Sequence, residues 1–382
     1  MRPRCVVAAN ASPGLGGQGI NLRHVIDALR NDFDLTVFAR GTAEGLASQV
    51  VPESRLTSTI NRVPVVRRLR DWGVLASEVH FDRCVATRLP ATPLFHGAGG
   101  QCLRSLGVAR SRGARTLLDV VTLHADAFAQ AALRECARFG VRFPLRPALV
   151  DRMRQEYQVA DRIRVMSERA RATFLERGVR PERVVTVLPP LDLTGFPEAR
   201  FPQAKFRVSC VGLLEPWKGF HYLVEAFGGL KDADAELVLW GAPGSRPVSR
   251  YLAERRAADP RIAVRPMQVG PGGFAEVYGR SSVVVHPSVA EGFGLVVAEA
   301  MACGVPVIVT DRTGAADLVQ DGVNGFVVGA GDSGAILERL DHLARHPALV
   351  QQMGAAARET MRAQTPEAFR LRYVELLRSL LA

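Results

Sequence analysis

The chain has no C-x-x-C pair among its six cysteines, no lysine in its first 200 residues, and no uncharged apolar run approaching 18 residues. Scattered cysteines (Cys5, Cys84, Cys102, Cys136, Cys210 and Cys303) exclude a disulfide frame or a zinc site and suit reduced thiols in a reducing compartment. Without a long apolar run no membrane-spanning helix is encoded. The opening run CVVAA is too short for the core of a signal peptide, so a soluble, cytoplasmic protein is expected. The 35 glycines and 23 prolines follow no period, which excludes a fibrous repeat. What is present is a long, apolar chain. Its 382 residues, 47% of them hydrophobic, exclude intrinsic disorder and imply about two ordinary domains.

Charge divides unevenly. The net charge of +11 resides entirely in residues 1–200, where 30 arginines face 19 acids; the remainder is balanced. The arginines are dense at 63–72 and between Arg134 and Arg154. Such an excess reads as a solvated arginine-rich face or as a surface for anionic lipid. Nucleic acid is not an expected partner, because no helix-turn-helix, zinc finger or stacking motif accompanies the charge.

Short β-branched runs alternate with amphipathic helical stretches, the pattern of a parallel α/β protein. In the first half the strands are expected at 5–9, 34–39, 91–96, 116–122, 162–167 and 183–189. Residues 189–204, PPLDLTGFPEARFPQA, hold four prolines and no period, so they read as a linker. A second series follows at 206–212, 235–241, 261–265, 282–288, 305–310 and 324–329. The expectation is an α/β protein of two facing, doubly wound domains: 1–188, then the linker 189–204, then 205–364, with a closing helix over 365–382 returning to the first domain. Such sheets bind ligands at the carboxyl ends of their strands, which would line a cleft.

The stretch Gly14-Leu-Gly16-Gly17-Gln18-Gly19 fits the dinucleotide pattern G-x-G-x-x-G. Yet four residues separate it from its strand, and the second strand ends in Arg40 rather than in an acid for a ribose. What survives is general: glycines before a helix let backbone N–H groups approach an anion, and Gly16, Gly17 and Gln18 are the candidates.

The most informative stretch is VVVHPSVAEGFGLVVAEAMACGVPVIVT, residues 283–310. Glu291 precedes a helix whose start, Phe293-Gly294-Leu295, offers N–H groups to a diphosphate. Glu299 follows one to two turns later, where a carboxylate suits the two hydroxyls of a ribose. Upstream, Lys218 in Glu215-Pro-Trp-Lys218-Gly219 can present an ammonium to a departing diphosphate. Asp232-Ala-Asp234 lies before a strand rather than after one and reads as a turn, so no metal is expected.

These motifs resemble those of retaining GT-B glycosyltransferases, specifically family 4, whose E-x(7)-E motif matches Glu291 to Glu299. VGLLEPWKGFHYLVEAF, RTGAADLVQDGVNGFVV and RIRVMSERARATFLERGVRPERV extend the resemblance over nearly the whole chain. The resemblance implies a GT-B fold of two Rossmann-like domains, the second taking a nucleotide-sugar, with UDP or GDP as carrier, and the first taking the acceptor. It implies that Glu291 contacts the transferred sugar, Glu299 the ribose, Lys218 the diphosphate and Gly17 the phosphates from across the cleft. His124, in DVVTLHAD, matches the histidine that meets the donor sugar, with His96 a second choice. No further cofactor is implied. The sequence departs at Leu213, where the family commonly has arginine, and at Pro189-Pro190-Leu191-Asp192 in the hinge. The implied reaction is hexosyl transfer with retention to a glycan, lipid-linked or small-molecule hydroxyl. A nucleotide-sugar epimerase on the same scaffold, or a non-catalytic sugar- or lipid-binding module, is the alternative.

Overall fold

A computed structural model describes residues 2–42, 47–53, 70–143, 145–199, 201, 205–267 and 270–382. Of the basic run at 63–72, residues 63–69 lie outside the described residues, as do 268–269 and linker positions 200 and 202–204.

The first lobe is a seven-stranded parallel sheet. In chain order its strands are β1 (Arg4–Ala8), β2 (Asp34–Ala39), β3 (Ala47–Val50), β4 (Leu94–Ala98), β5 (Arg115–Val120), β6 (Arg162–Val165) and β7 (Val184–Thr186), placed in the sheet as β3-β2-β1-β4-β5-β6-β7. The second is a six-stranded parallel sheet of β8 (Arg207–Val211), β9 (Glu236–Trp240), β10 (Ile262–Arg265), β11 (Val283–His286), β12 (Val307–Thr310) and β13 (Gly325–Val328), in the order β10-β9-β8-β11-β12-β13. Each order reverses once, beside β1 and beside β8, and at such a switch point the loops diverge and leave a crevice. The expected strands all form, several ending a residue or more earlier than their apolar runs because residues there turn into the cleft. The sequence reading missed β3, whose ASQV lacks a β-branched run.

Helices cover both faces of each sheet. Helix α1 (Gly16–Leu29) follows β1 and buries Leu22, Val25, Ile26 and Leu29 at helical spacing. Next come α2 (Arg70–Arg88), α3 (Leu103–Ser111), α4 (Ala125–Arg138), α5 (Pro147–Val159) and α6 (Glu168–Leu175); the second lobe adds α7 (Phe220–Gly228), α8 (Arg246–Ala258), α9 (Gly270–Val277), α10 (Leu295–Ala302), α11 (Ser333–Arg345) and α12 (Pro347–Met361). The closing helix α13 (Pro366–Leu381) starts with Thr365 as its cap, Oγ1 accepting from the Ala368 N–H, and with proline in its first turn. It crosses back to the first lobe, where Phe369, Tyr373, Leu377 and Leu380 join the core formed by α1 and β1.

A buried ionic network fastens that helix. Arg164 on β6 is fully buried; its Nη1 donates to Asp119 Oδ1 and Asn21 Oδ1, both at 2.9 Å, and its Nε and Nη2 donate to the Val187 carbonyl. The Tyr373 hydroxyl lies 3.4 Å from Asp119 Oδ2 and 2.7 Å from His96 Nε2. A charge so enclosed is tolerated because every guanidinium edge has a partner.

Candidate active site

The carboxyl ends of both sheets face each other, and the loop after β11 is wedged between the lobes. A Cβ on Gly292 would run into the Val121 carbonyl and the Thr122 backbone of the first lobe, so only glycine allows this approach. The Ser167 hydroxyl donates to the Gly292 carbonyl at 2.8 Å, and Arg169 pairs with Asp317 at 3.0 Å. Helix α4 completes the contact: Phe128 meets Trp217 edge-on, and the Tyr222 hydroxyl donates to Glu135 at 3.0 Å while Arg138 bonds the same hydroxyl.

Within this wedge Glu291 and Lys218 meet. The Lys218 ammonium, in the turn after β8, donates to Glu291 Oε2; His286, the last residue of β11 and almost fully buried, has its Nε2 3.2 Å from the same oxygen. Burial alone would raise the Glu291 carboxyl, but Lys218 and His286 outweigh it and hold the acid down at about 2. Gly294 sits in the left-handed region (φ 95°) and starts α10 with no side-chain cap. The first N–H groups of α10, where the helix dipole is positive, are thus not used by a capping side chain. Phe293 is buried and its carbonyl accepts from the Ala315 N–H, which anchors the loop. Glu299 is half-buried on α10 and accepts from the Tyr278 hydroxyl at 2.6 Å; burial raises its carboxyl despite that bond.

Opposite, His124 caps α4. Its Nδ1 accepts from the Asp126 N–H at 3.2 Å, and its ring packs between Tyr157 and Phe174. Burial lowers its pKa to about 4, so the imidazole is neutral, with its proton on Nε2. Gly14 and Gly16 adopt positive φ, and a Cβ on Gly16 or Gly17 would meet open space. A cavity of about 520 Å³ between the lobes is lined by Leu123 and Val289, chain neighbours of this cluster, and by Glu135, Arg134, Arg177 and Arg312.

Residues 195–360 match the family model described as glycosyl transferases, group 1. That match covers most of the second lobe. The curated relatives include D-inositol 3-phosphate glycosyltransferases of Streptomyces griseus (36% identity over 157 residues, 38% of this chain and 33% of the relative) and Kribbella flavida (30% over 238 residues, 56% of each). The chain thus spans about half or less of the length of the curated relatives it matches. Among solved structures, a sucrose-phosphate synthase from Thermosynechococcus elongatus superposes with TM-score 0.73 at 22% identity, over 99% of each chain. Anabaena HepE in complex with UDP-glucose superposes with TM-score 0.70 at 17% identity, over 99% of this chain and 100% of that one. The fold is GT-B.

In the second lobe the sequence-derived residues Lys218, Glu291, Phe293, Gly294 and Leu295 converge around one turn of helix, with Glu299 farther along it. His96 does not join them: it is locked into the ionic network by Tyr373 and lies at the bottom of a small cavity that it shares with Gln18 and Asp119. Asp232 Oδ1 accepts from the Asp234 N–H, a side-chain-closed turn ahead of β9 and away from the carboxyl ends of the strands. Leu213 is 58% exposed in the loop after β8, an apolar side chain left in solvent. Leu191 N–H donates to the Gln364 carbonyl, which ties the proline-rich hinge to the segment before α13.

Sequence reasoning missed His286 and Tyr278. The histidine was legible in principle, as a polar residue ending a buried strand five positions before Glu291; nothing marked the tyrosine. Also missed was a polar cluster at the carboxyl ends of β1, β2 and β4. There the Asn10 amide donates to Glu78 at 2.8 Å and its N–H to Gln101, Gln101 donates to Gln18, and Arg40 holds Asn10. Burial lifts the Glu78 carboxyl to about 7.

Proposed function

We propose that the chain is a retaining glycosyltransferase that moves a hexose from a nucleotide-diphosphate sugar to an acceptor hydroxyl. The observation that carries this reading is the cluster of Lys218, His286 and Glu291 beside the uncapped start of α10, with Glu299 on the same helix. A carboxylate kept ionised accepts hydrogen bonds from sugar hydroxyls. An ammonium and helix N–H groups take the diphosphate, and a second carboxylate takes the ribose. The neutral His124 donates its Nε2–H to a sugar hydroxyl from the first lobe, and Gly16 and Gly17 let backbone approach the phosphates. That HepE was solved with UDP-glucose supports a UDP donor; an acceptor in the first lobe fits the polar cluster of Asn10, Gln18 and Gln101.

The chemistry then rests on positioning and charge. The acceptor oxygen attacks the anomeric carbon from the face that the diphosphate leaves, and the departing phosphate oxygen takes the acceptor proton. Lys218 and the α10 dipole stabilise the charge that develops on the leaving group. The reading requires no metal. A second, weaker reading of the arginine-rich first lobe is that it rests on anionic membrane; no described helix is long and apolar enough to cross one.

A thermal-shift panel of UDP-, GDP-, ADP- and dTDP-sugars is expected to show one family of stabilising donors, since ligands of the native state raise its melting temperature. Single-turnover transfer with anomer analysis is expected to give the retained product; an inverted product would end the retaining claim. A new nucleotide-sugar isomer formed without acceptor would favour an epimerase instead.

A further inference from the structure

Lys218 cannot serve Glu291 and a diphosphate equally well. In the structure its ammonium is bonded to Glu291 Oε2. Residues 212–219, the turn after β8, contain no basic residue besides Lys218. When a diphosphate arrives, the ammonium is drawn toward two negative charges and its bond to Glu291 weakens. Glu291 would then lose its main partner in a buried, water-poor wedge, where an unpaired carboxylate is costly and free to rotate.

The structure supplies a second hand on that carboxylate. His286 is almost fully buried at the end of β11, which leaves its ring little room to turn. Its Nε2 reaches the same oxygen that Lys218 holds, Oε2, and among the described residues nothing bonds Oε1. We propose that His286 is the positioning residue of the donor site: it keeps Glu291 oriented by Oε2 when Lys218 moves to the diphosphate, so that Oε1 faces the sugar hydroxyls throughout. This rests on the glycosyltransferase reading above, and it assigns to His286 an action through Glu291 rather than on the substrate.

The test uses the full chain with the donor that the thermal-shift panel selects, and measures donor affinity by calorimetry separately from turnover. His286→Leu removes the hydrogen bond; His286→Gln keeps an N–H at a similar reach. Expected is a fall in kcat of roughly 10- to 100-fold for His286→Leu, the loss typical of one hydrogen bond to a charged group, with donor KM within about threefold of wild type. His286→Gln is expected to recover most of that loss, and in a Glu291→Gln background His286→Leu is expected to cost little further, because the two residues act as a unit. Lys218→Met is expected to show the opposite split, weakened donor binding. Should the leucine variant not fold, His286→Gln is compared with His286→Asn, whose shorter amide falls short of Glu291; equal activities there overturn the proposal. So does a leucine variant with wild-type kcat, or one that loses donor affinity and kcat together without rescue by glutamine. Wild-type protein that binds no nucleotide-sugar at all would instead sink the donor reading itself.

Discussion

The two sides of the cleft are built by different rules. On the proposed donor side, Glu291, the start of α10 and Glu299 come from one continuous stretch, joined by Lys218 from the neighbouring loop. On the opposite side, Asn10, Gln18, Arg40, Glu78 and Gln101 come from five separate segments that meet only because β1, β2 and β4 are adjacent in the sheet. On the proposed function, a single loop-helix unit would grip the nearly invariant nucleotide diphosphate, whereas a site for a variable acceptor would be assembled from the topology, so that its residues carry no fixed spacing.

The sharpest way to break this comparison is to damage each side at its support. The first lobe's cleft rests on the network of Asp119, Arg164 and Asn21, so Asp119→Ala strands a buried guanidinium. A loss of about 3–5 kcal/mol in unfolding free energy is expected, read by denaturant titration. Donor affinity of the protein that remains folded should be little changed, because Asp119 bonds Asn21, Arg164 and Tyr373 and none of Lys218, His286 and Glu291. If donor affinity falls in step with stability, the two sides are not separable.

Glu291→Gln attacks the donor side. It removes the charge that Lys218 and His286 share while keeping the shape. Single-turnover rates are expected to fall by about 10²–10³. An unchanged rate would remove Glu291 from the site.

How much of this was legible follows from the same contrast. Where function sits in contiguous residues, the sequence could be read: Gly294 adopts positive φ before an uncapped helix and Glu299 lies on that helix, as the spacing suggested. The alternation of strands and helices also revealed both sheets, because parallel strands buried on both faces are near-continuous apolar runs. What failed was long-range. His96 read as a cleft residue because it ends a strand pattern, yet Tyr373, 277 positions away, holds it in the core. Glu78 carries no motif signal in the sequence, and only the fold brings it to Asn10. His286 differs in kind: it stands in the same stretch as Glu291, and only the folded loop turns its ring onto that acid.

Two glycines sharpen the comparison at smaller scale. Gly292→Ala places a methyl group against the Val121 carbonyl and the Thr122 backbone across the lobes, and a destabilisation of about 1–3 kcal/mol is expected, with slower turnover as the wedge shifts. Gly17→Ala meets open space, so its stability should stay within about 0.5 kcal/mol of wild type. Any loss of activity in Gly17→Ala then reports ligand approach alone. Equal destabilisation by both would show that the glycine-rich loop is packed rather than open.

The pH dependence of stability separates His124 from Glu291. His124 has a folded pKa of about 4 against an ordinary 6.5, so the unfolded chain binds the proton first and stability falls as pH drops from about 6.5 to 4. His24, also held at about 4 by burial, and His96, lowered by burial, act in the same direction. Glu291, at about 2 against 4.5, contributes stability that is present above pH 4.5 and is lost only as pH falls toward 2. His124→Gln should therefore flatten the stability curve between pH 6.5 and 4, by at most about 1.4 kcal/mol per pH unit, and leave the acid limb below pH 4 intact. Glu291→Gln should do the reverse, flattening only that acid limb. Unfolding titrations across this range check both; a histidine variant with the wild-type slope would mean that His124 is solvated and charged, and would remove the neutral Nε2–H donor that the first lobe contributes to the sugar.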